Sequence, residues 1–469
     1  VISPVRSRAI LVLAIASSYC LLPSSSSYAG ALPGFEDASV SLSGSLRQIG
    51  LYTRGTDAQR FEAAVLSDIA LPSTACVRAV AFKNCPAFDV VGKKDVGQGV
   101  TRLRVGADLS LRDGVSVVVV YDNEASYGTL DTLASQTGSG LGSESFLGAE
   151  GVLKSGKHYD WSHELYRGYI QLETQRFEFS LGRQRVAWGV GRLWTPIDRF
   201  SALPPLSLQP DDTPGIDGID ARFNFDGFSY LQFVYAPGGS QKEARYAARM
   251  HGVVRDADVS IMAGYFEEAP TVGVDFARNL GDAAIRFEAV FTSPDHKVFE
   301  LGDARAKAPA DFWQVVASFD FNFSYGTGVY FLAEYLYNGN ALGFGKGRAG
   351  PQLPFFEATD TPPDPALGMI PGPYVRLTNL DRFGSSRVIT LSAHQLGWQL
   401  GYDLTPELRF DFVSLIDAEA GSAAFFPNLS YSPLDSMETT LGVQLFAGPE
   451  RSQFGASDYV IYFLADWFF

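Results

Sequence analysis

The chain has 469 residues, is 46% hydrophobic and 13% aromatic, and carries a formal charge of −15 from 37 basic and 52 acidic side chains. Such acidity argues against nucleic acid as a partner, because phosphate binding needs a basic face. No run of 18 apolar residues supplies a transmembrane helix, yet the aromatic content suits interfacial girdles and a lipid-facing band.

At the N-terminus Arg6 and Arg8 precede an apolar run, Ala9 to Ala16, extended by Leu21 and Leu22. Ser24 to Ser27 and the small residues Ala29 and Ala31 follow, which together read as a secretory signal over residues 1–29, leaving 30–469 as the mature part. Its removal takes two arginines and no acids, moving the charge from −15 to about −17. Tyr19 is too large for the residue preceding a lipoprotein cysteine, so Cys20 leaves with the signal. Cys76 and Cys85, a close pair in an exported chain, are expected to form a disulfide that stabilises by roughly 2–3 kcal/mol. There is no Cys-x-x-Cys-His, so c-type haem is not attached to the chain, and no cofactor or metal is expected.

From Val40 onward, segments of about ten residues alternate apolar and polar positions. Val40 to Thr53 opens the series, and a long polar connection with the cysteine pair follows. Leu103, Val105, Ala107, Leu109 and Leu111 then share one face, opposite Arg102, Arg104, Asp108 and Arg112. Asp113-Gly114 reads as a tight turn into Val115 to Asp122, before a Gly- and Ser-rich connection from Asn123 to about Trp161. Tyr166 to Glu173, Phe177 to Leu181, Ile219 to Phe225 and Leu231 to Tyr235 continue the rhythm. Ala244–Val254, Ala257–Glu267, Thr271–Asn279, Ala283–Thr292, Trp313–Phe323 and Gly328–Asn338 come next. Beyond a Pro- and Gly-rich connection lie Gln395–Leu404, Glu407–Ile416, Ala423–Ser432 and Ser436–Ala447.

The series ends in Asp458 to Phe469, with Tyr459, Ile461, Phe463, Ala465, Trp467 and Phe469 on one face. An apolar face running to the final carboxylate would leave a sticky edge in a soluble protein; it fits a strand that meets lipid and closes a barrel. Terminal Phe469, with Trp467 two residues before it, resembles the C-terminal recognition signal of bacterial outer-membrane barrels, and implies the barrel-assembly machinery and outer-membrane lipid as partners. The expected fold is all-β: a transmembrane antiparallel up-and-down β-barrel of roughly eighteen strands, with short periplasmic turns and long extracellular loops, in the outer membrane.

A barrel of that size leaves an aqueous channel, so the inward residues carry the function. The early strands present Arg102, Arg104, Arg112, Arg167, Arg222, Arg249 and His251, countered by Asp108, Glu173 and Asp220. The late strands present Asp320, Glu334, Asp403, Asp411, Glu438 and Asp466, countered by Arg409. A basic wall facing an acidic one would set up a transverse field; lateral pairing across strands is the blander expectation.

The densest constellation is Leu181 to Pro205, where Arg183, Arg185, Arg192 and Arg199 interleave with Trp188, Trp194 and Asp198. Strict alternation from Phe177, Phe179 and Leu181 would aim Arg183 and Arg185 at lipid, at about 2–4 kcal/mol near the midplane, so a β-bulge near Gly182 is expected to turn both inward. The remainder lacks period two and reads as a loop folded into or over the lumen. Guanidinium groups among indole rings suit carboxylates and phosphates; packing of the loop onto the wall through Arg–Asp pairs is the alternative.

The strand-ending Gly182-Arg183-Gln184-Arg185, the Trp188-Gly189 pair and the following Trp194-x-Pro196-x-Asp198 resemble alginate-export-type and related porin-like barrels of Gram-negative bacteria. The resemblance implies an arginine-lined pore that passes an anionic polymer or small solutes, by diffusion or export, with Arg183, Arg185 and the Arg192–Arg199 stretch as pore residues. A different class of function, a sleeve around a partner such as a periplasmic or surface electron-transfer cytochrome, needs no haem motif of its own and stays open, as does a homo-oligomer. An enzyme is not expected: His158, His163, His251, His296 and His394 stand beside no nucleophile motif.

Overall fold

The computed structural model describes residues 28–469 except 33–34, 56–94, 112–113, 129–145, 157, 202–212, 214, 239–243, 267–268, 294–298, 302–303, 307–310, 340, 342–355, 360–373, 378–389, 391, 450–451 and 456. The signal segment up to residue 27, the cysteine pair Cys76 and Cys85, and Arg112 lie outside the described residues.

Eighteen antiparallel strands close into one barrel, without helices among the described residues. They are β1 (Phe35–Gly55), β2 (Asp95–Ser110), β3 (Val115–Gly128), β4 (Tyr159–Glu173), β5 (Phe177–Gln184) and β6 (Ile216–Asn224). Next come β7 (Tyr230–Ala236), β8 (Arg245–Val254), β9 (Ala257–Phe266), β10 (Ala269–Leu280), β11 (Ala283–Thr292) and β12 (Phe312–Phe323). The last six are β13 (Val329–Asn338), β14 (His394–Thr405), β15 (Leu408–Asp417), β16 (Ser422–Leu434), β17 (Met437–Ala447) and β18 (Ser457–Phe468). Two shorter strands join the same sheet, Tyr28–Leu32 against β1 and Glu150–Gly156 against β4.

Closure is made by β18 on β1, in register from Ser45↔Phe468 to Thr53↔Val460. Phe469 extends that ladder by one residue: its N–H donates to the Gly44 carbonyl at 2.9 Å, and its own oxygen accepts the Gly44 N–H at 2.7 Å. No edge is left at the seam, which is the condition for a sheet in lipid. Alternation sorts the faces as the sequence predicts. Ile461 on β18 is exposed, while its neighbours Tyr462 and Leu464 turn inward and pack with Ile49 and Val100. Leu103 and Val105 are exposed on the lipid side of β2, between inward Arg102 and Arg104.

Several strands run further than their pattern suggests, β3 and β4 among them. β3 continues through Asn123–Gly128, and β4 begins at Tyr159, seven residues before its regular alternation starts. The cause is a register shift between Val120 and Tyr121, opposite Tyr166 of β4, which breaks the period where the polar extensions begin.

The expected division into a basic and an acidic wall does not hold. On the early strands Arg102 bonds Glu124, Arg104 chelates Asp122 at 2.7 and 2.6 Å, Arg222 meets Glu178, and Arg249 meets Asp275. On the late side Asp320 pairs with Arg286, Asp466 with Arg47 at 2.5 Å, and Asp411 and Asp403 with Arg409. Neighbouring strands thus neutralise one another laterally, the arrangement that removes charge from a low-dielectric wall at least expense.

Candidate functional site: the lumen loop

Between β5 and β6 the chain leaves the wall and folds inside the barrel. The described part, Arg185–Ser201, has no regular secondary structure and is fixed by the inner wall from β6 to β16. Val186, Trp188, Ile197 and Phe200 pack on Ile216, Val234, Ala236, Ala247, Met262, Phe266 and Val290. Phe200 sits edge-on to both Trp188 and Phe266, at 5.2 Å between centroids in each case. Further along, Trp194 joins Val316, Leu336, Leu415, Ala424, Phe426 and Phe454, the last from the loop between β17 and β18. Gly397 of β14 lies directly under Leu193 and Trp194, where a Cβ would collide with both side chains.

A loop without regular structure must still satisfy its backbone N–H groups once buried. Two wall glutamates do this. Glu288 of β11 accepts the N–H groups of Val190 (2.5 Å), Gly191 (2.7 Å) and Ile197 (3.2 Å). Glu334 of β13 accepts those of Arg192 (2.9 Å), Leu193 (3.0 Å) and Trp194 (2.7 Å). Both carboxylates are buried. Glu334, read from sequence as pore-lining, holds the loop instead; Glu288, which sequence reasoning passed over, is its twin.

The four loop arginines divide into two pairs. Arg183 is 2% exposed, chelates Asp217 at 2.8 and 3.1 Å and donates to the Leu165 carbonyl. Arg199 is 1% exposed and donates to Gln314 at 2.7 Å. Neither is presented to the channel. Arg185 and Arg192 are exposed and make no ion pair or hydrogen bond among the described residues through their guanidinium groups. The bulge expected at Gly182 is also absent: Leu181↔Ile219, Gly182↔Gly218 and Arg183↔Asp217 pair without a shift. Gly182 itself makes the change of direction with φ +128°, a conformation closed to other residues, and a Cβ there would strike the Gly168 carbonyl.

Trp188 and Asp198, also read as pore residues, are buried within the loop. Trp188 donates its indole N–H to Gln232, and Arg249 lies beside its ring while bonding Asp275 and Ser260. Asp198 accepts the N–H groups of Phe200 and Ser201 at 3.1 and 2.9 Å. Burial pushes its carboxyl up to about 6, against the lowering effect of those two bonds. An acid with a raised value in the folded state contributes stability below its ordinary pKa, and this is lost as pH rises through the folded one. The loop is therefore expected to be held more firmly near pH 4 than near pH 7. Open-channel noise in planar bilayers should rise across that interval in the wild type and rise less in Asp198→Asn.

The inner faces of β1–β4, β17 and β18 are not covered by the described part of the loop. They carry Arg47–Asp466, the Tyr462 cluster and a cavity of about 280 Å³ lined by Arg102, Arg104, Asp122, Glu124, Ser162, His163, Glu164 and Tyr166. The Arg104 and Arg167 guanidinium groups lie 3.5 and 4.0 Å from the Tyr166 ring centroid. Among the described residues the loop packs toward β6–β16, while polar side chains line the wall toward β1–β4. No group of three metal-ligating side chains occurs among the described residues.

This architecture is that of an outer-membrane β-barrel, closed by eighteen strands and carrying an apolar band toward lipid. No family model matches the chain, and no curated protein matches it by sequence. Among solved structures, Acinetobacter baumannii OccAB1 is 11% identical, covers 92% of this chain and 97% of its own, and superposes with a TM-score of 0.52. Acinetobacter baumannii OccAB3 (12% identity, 92% and 99% coverage, TM-score 0.49) and a BenF-like porin from Pseudomonas fluorescens (12%, 92% and 98%, 0.48) are also similar. At these identities the likeness is one of fold.

Proposed function

We infer that the chain is a passive channel for small polar, anionic solutes, narrowed by the lumen loop. The observation that carries this reading is the division of the loop arginines. Arg183 and Arg199 are consumed by the scaffold, whereas Arg185 and Arg192 stay exposed on a loop inside a wall whose other charges are largely paired. Two exposed guanidinium groups in a confined, water-filled passage raise the local concentration of anions and supply donors for carboxylates or phosphates. The other loop surface is apolar and already packed, so the loop acts as a fixed constriction. Its occupation of the β6–β16 side removes space that a threaded cytochrome would need, which favours a channel over a sleeve.

The test is electrical. Purified protein in planar bilayers should give discrete conductance steps, and under a potassium chloride gradient the reversal potential should report anion preference. Arg185→Glu with Arg192→Glu should invert that preference, while Arg183→Glu should instead reduce the yield of folded barrel, because it breaks a buried pair. No conductance from folded protein would sink the channel reading, and an unchanged reversal potential in the double variant would sink the role given to the two arginines.

A further inference from the structure

Away from the lumen loop, the cavity of about 280 Å³ lies in the extension of β3 and β4, beyond the register shift at Tyr121. Of the arginines and acids that line it, four close into pairs: Arg102 with Glu124 at 2.9 Å, and Arg104 with Asp122 at 2.7 and 2.6 Å. The one left over is Glu164 of β4. It is half-buried and forms no hydrogen bond or ion pair among the described residues. The cations that act on it, Arg183 and Arg102, are bonded to Asp217 and Glu124. Its partners in register are acids on both sides, Asp122 on β3 and Glu150 on the short strand Glu150–Gly156. Further along the same face of β4, Asp160 keeps its Oδ1 atom buried without a hydrogen-bond partner among the described residues.

Like charges directly opposite one another destabilise a sheet, and a carboxylate drawn out of water is costly unless a cation pairs with it. Other parts of the wall meet this need with a neighbouring arginine, as Arg249 does for Asp275 and Arg47 for Asp466. Glu164 opens instead onto a cavity, so its counter-charge has to come from a molecule that enters there. Size and chemistry define the class of that molecule. A water molecule occupies about 30 Å³ of the liquid, so the cavity exceeds the space of a bare ion several times over. No group of three metal-ligating side chains occurs among the described residues. The Glu164 carboxylate and the Ser162 hydroxyl, both in the lining, accept hydrogen bonds, which suits a cation rich in N–H donors.

We propose that this cavity binds the cationic nitrogen group of a solute, a primary ammonium or a guanidinium, with Glu164 as its counter-ion. Arg185 and Arg192 are exposed on the lumen loop and Glu164 on β4, so a solute carrying both an acid and an amine meets a complementary group for each. The acid–acid contacts around Glu164 are then the stability given up for a binding site. The site rests on the wall geometry alone; its part in selecting solutes rests on the reading of the chain as a channel.

Glu164→Gln keeps the shape of the side chain and removes its charge. Because it relieves two acid–acid contacts, the whole protein in detergent should unfold at a higher temperature than the wild type. In the same detergent, a ligand-observed NMR titration with n-butylammonium chloride should show binding to the wild type, weakened roughly tenfold in Glu164→Gln. Sodium butyrate should not distinguish the two. Glu173→Gln removes an exposed acid of the same strand outside the cavity and should bind butylammonium as the wild type does. Equal butylammonium affinity in the wild type and Glu164→Gln overturns the site, as does an equal loss in Glu173→Gln or a lowered unfolding temperature in Glu164→Gln. In planar bilayers γ-aminobutyrate should interrupt the current at lower concentration than butyrate, a difference that Glu164→Gln removes. Equal interruption by both in the wild type overturns the part given to the site in selecting solutes. A wild type that fails to conduct, but whose butylammonium binding depends on Glu164, overturns the channel reading and leaves the site standing.

Discussion

Replacing Glu288 and Glu334 together by alanine should free the lumen loop and raise single-channel conductance severalfold, with the barrel still closed. Six backbone N–H groups between Val190 and Ile197 end on these two carboxylates. A hydrogen bond to a charged group contributes about 1.5–3 kcal/mol, and bonds sharing one acceptor do not sum. The strand ladders of β11 and β13 run through backbone atoms and are untouched. Heat-modifiable mobility on gels should therefore match the wild type while bilayer currents grow and lose selectivity. Each single variant should show a smaller effect of the same kind. Wild-type conductance in the folded double variant would mean that apolar packing alone holds the loop.

The second large effect is expected at a residue with no side chain. Gly182→Val should cut the yield of folded, heat-modifiable barrel sharply. The positive φ is strained for a β-branched residue by about 1–3 kcal/mol, and the added Cβ meets the Gly168 carbonyl of β4. Neither strain relaxes locally, because Gly182 sits between paired neighbours on both sides. Gly182→Ala should be intermediate. A normal yield from the valine variant would restore the expectation that an inserted residue, and not this conformation, turns the strand.

The wall was largely legible because period two is a local property. Trp313, Val315, Ala317, Phe319, Phe321 and Phe323 sort themselves without knowledge of any partner, and β12 follows. The pattern failed at β3 and β4 because the shift opposite Tyr166 changes the parity of everything beyond it. The loop is a different matter. Its composition marked it as an insertion, but nothing periodic tells which of four arginines is buried. That depends on Asp217 and Gln314, which lie 34 and 115 residues further along the chain. Glu288 alone left a usable clue: it shares the inward face of β11 with Ala284, Arg286 and Val290, as a carboxylate among groups with which it is not paired. The wall asymmetry misled for the same reason, since Glu124, Glu178 and Asp275 were not weighed against the arginines they neutralise.

The seam has a consequence for the order of events. Residues 45–53 find their partners only at 460–468, so the first strand written is completed by the last. Loop-closure entropy grows slowly with length, so the separation itself is tolerable. But no shorter chain possesses that partner, and the final bonds of the ring belong to Phe469. A ribosome that stops even one strand early yields two open edges and no smaller ring to fall back on. Closure is thus conditional on synthesis reaching β18, the strand that seals β1.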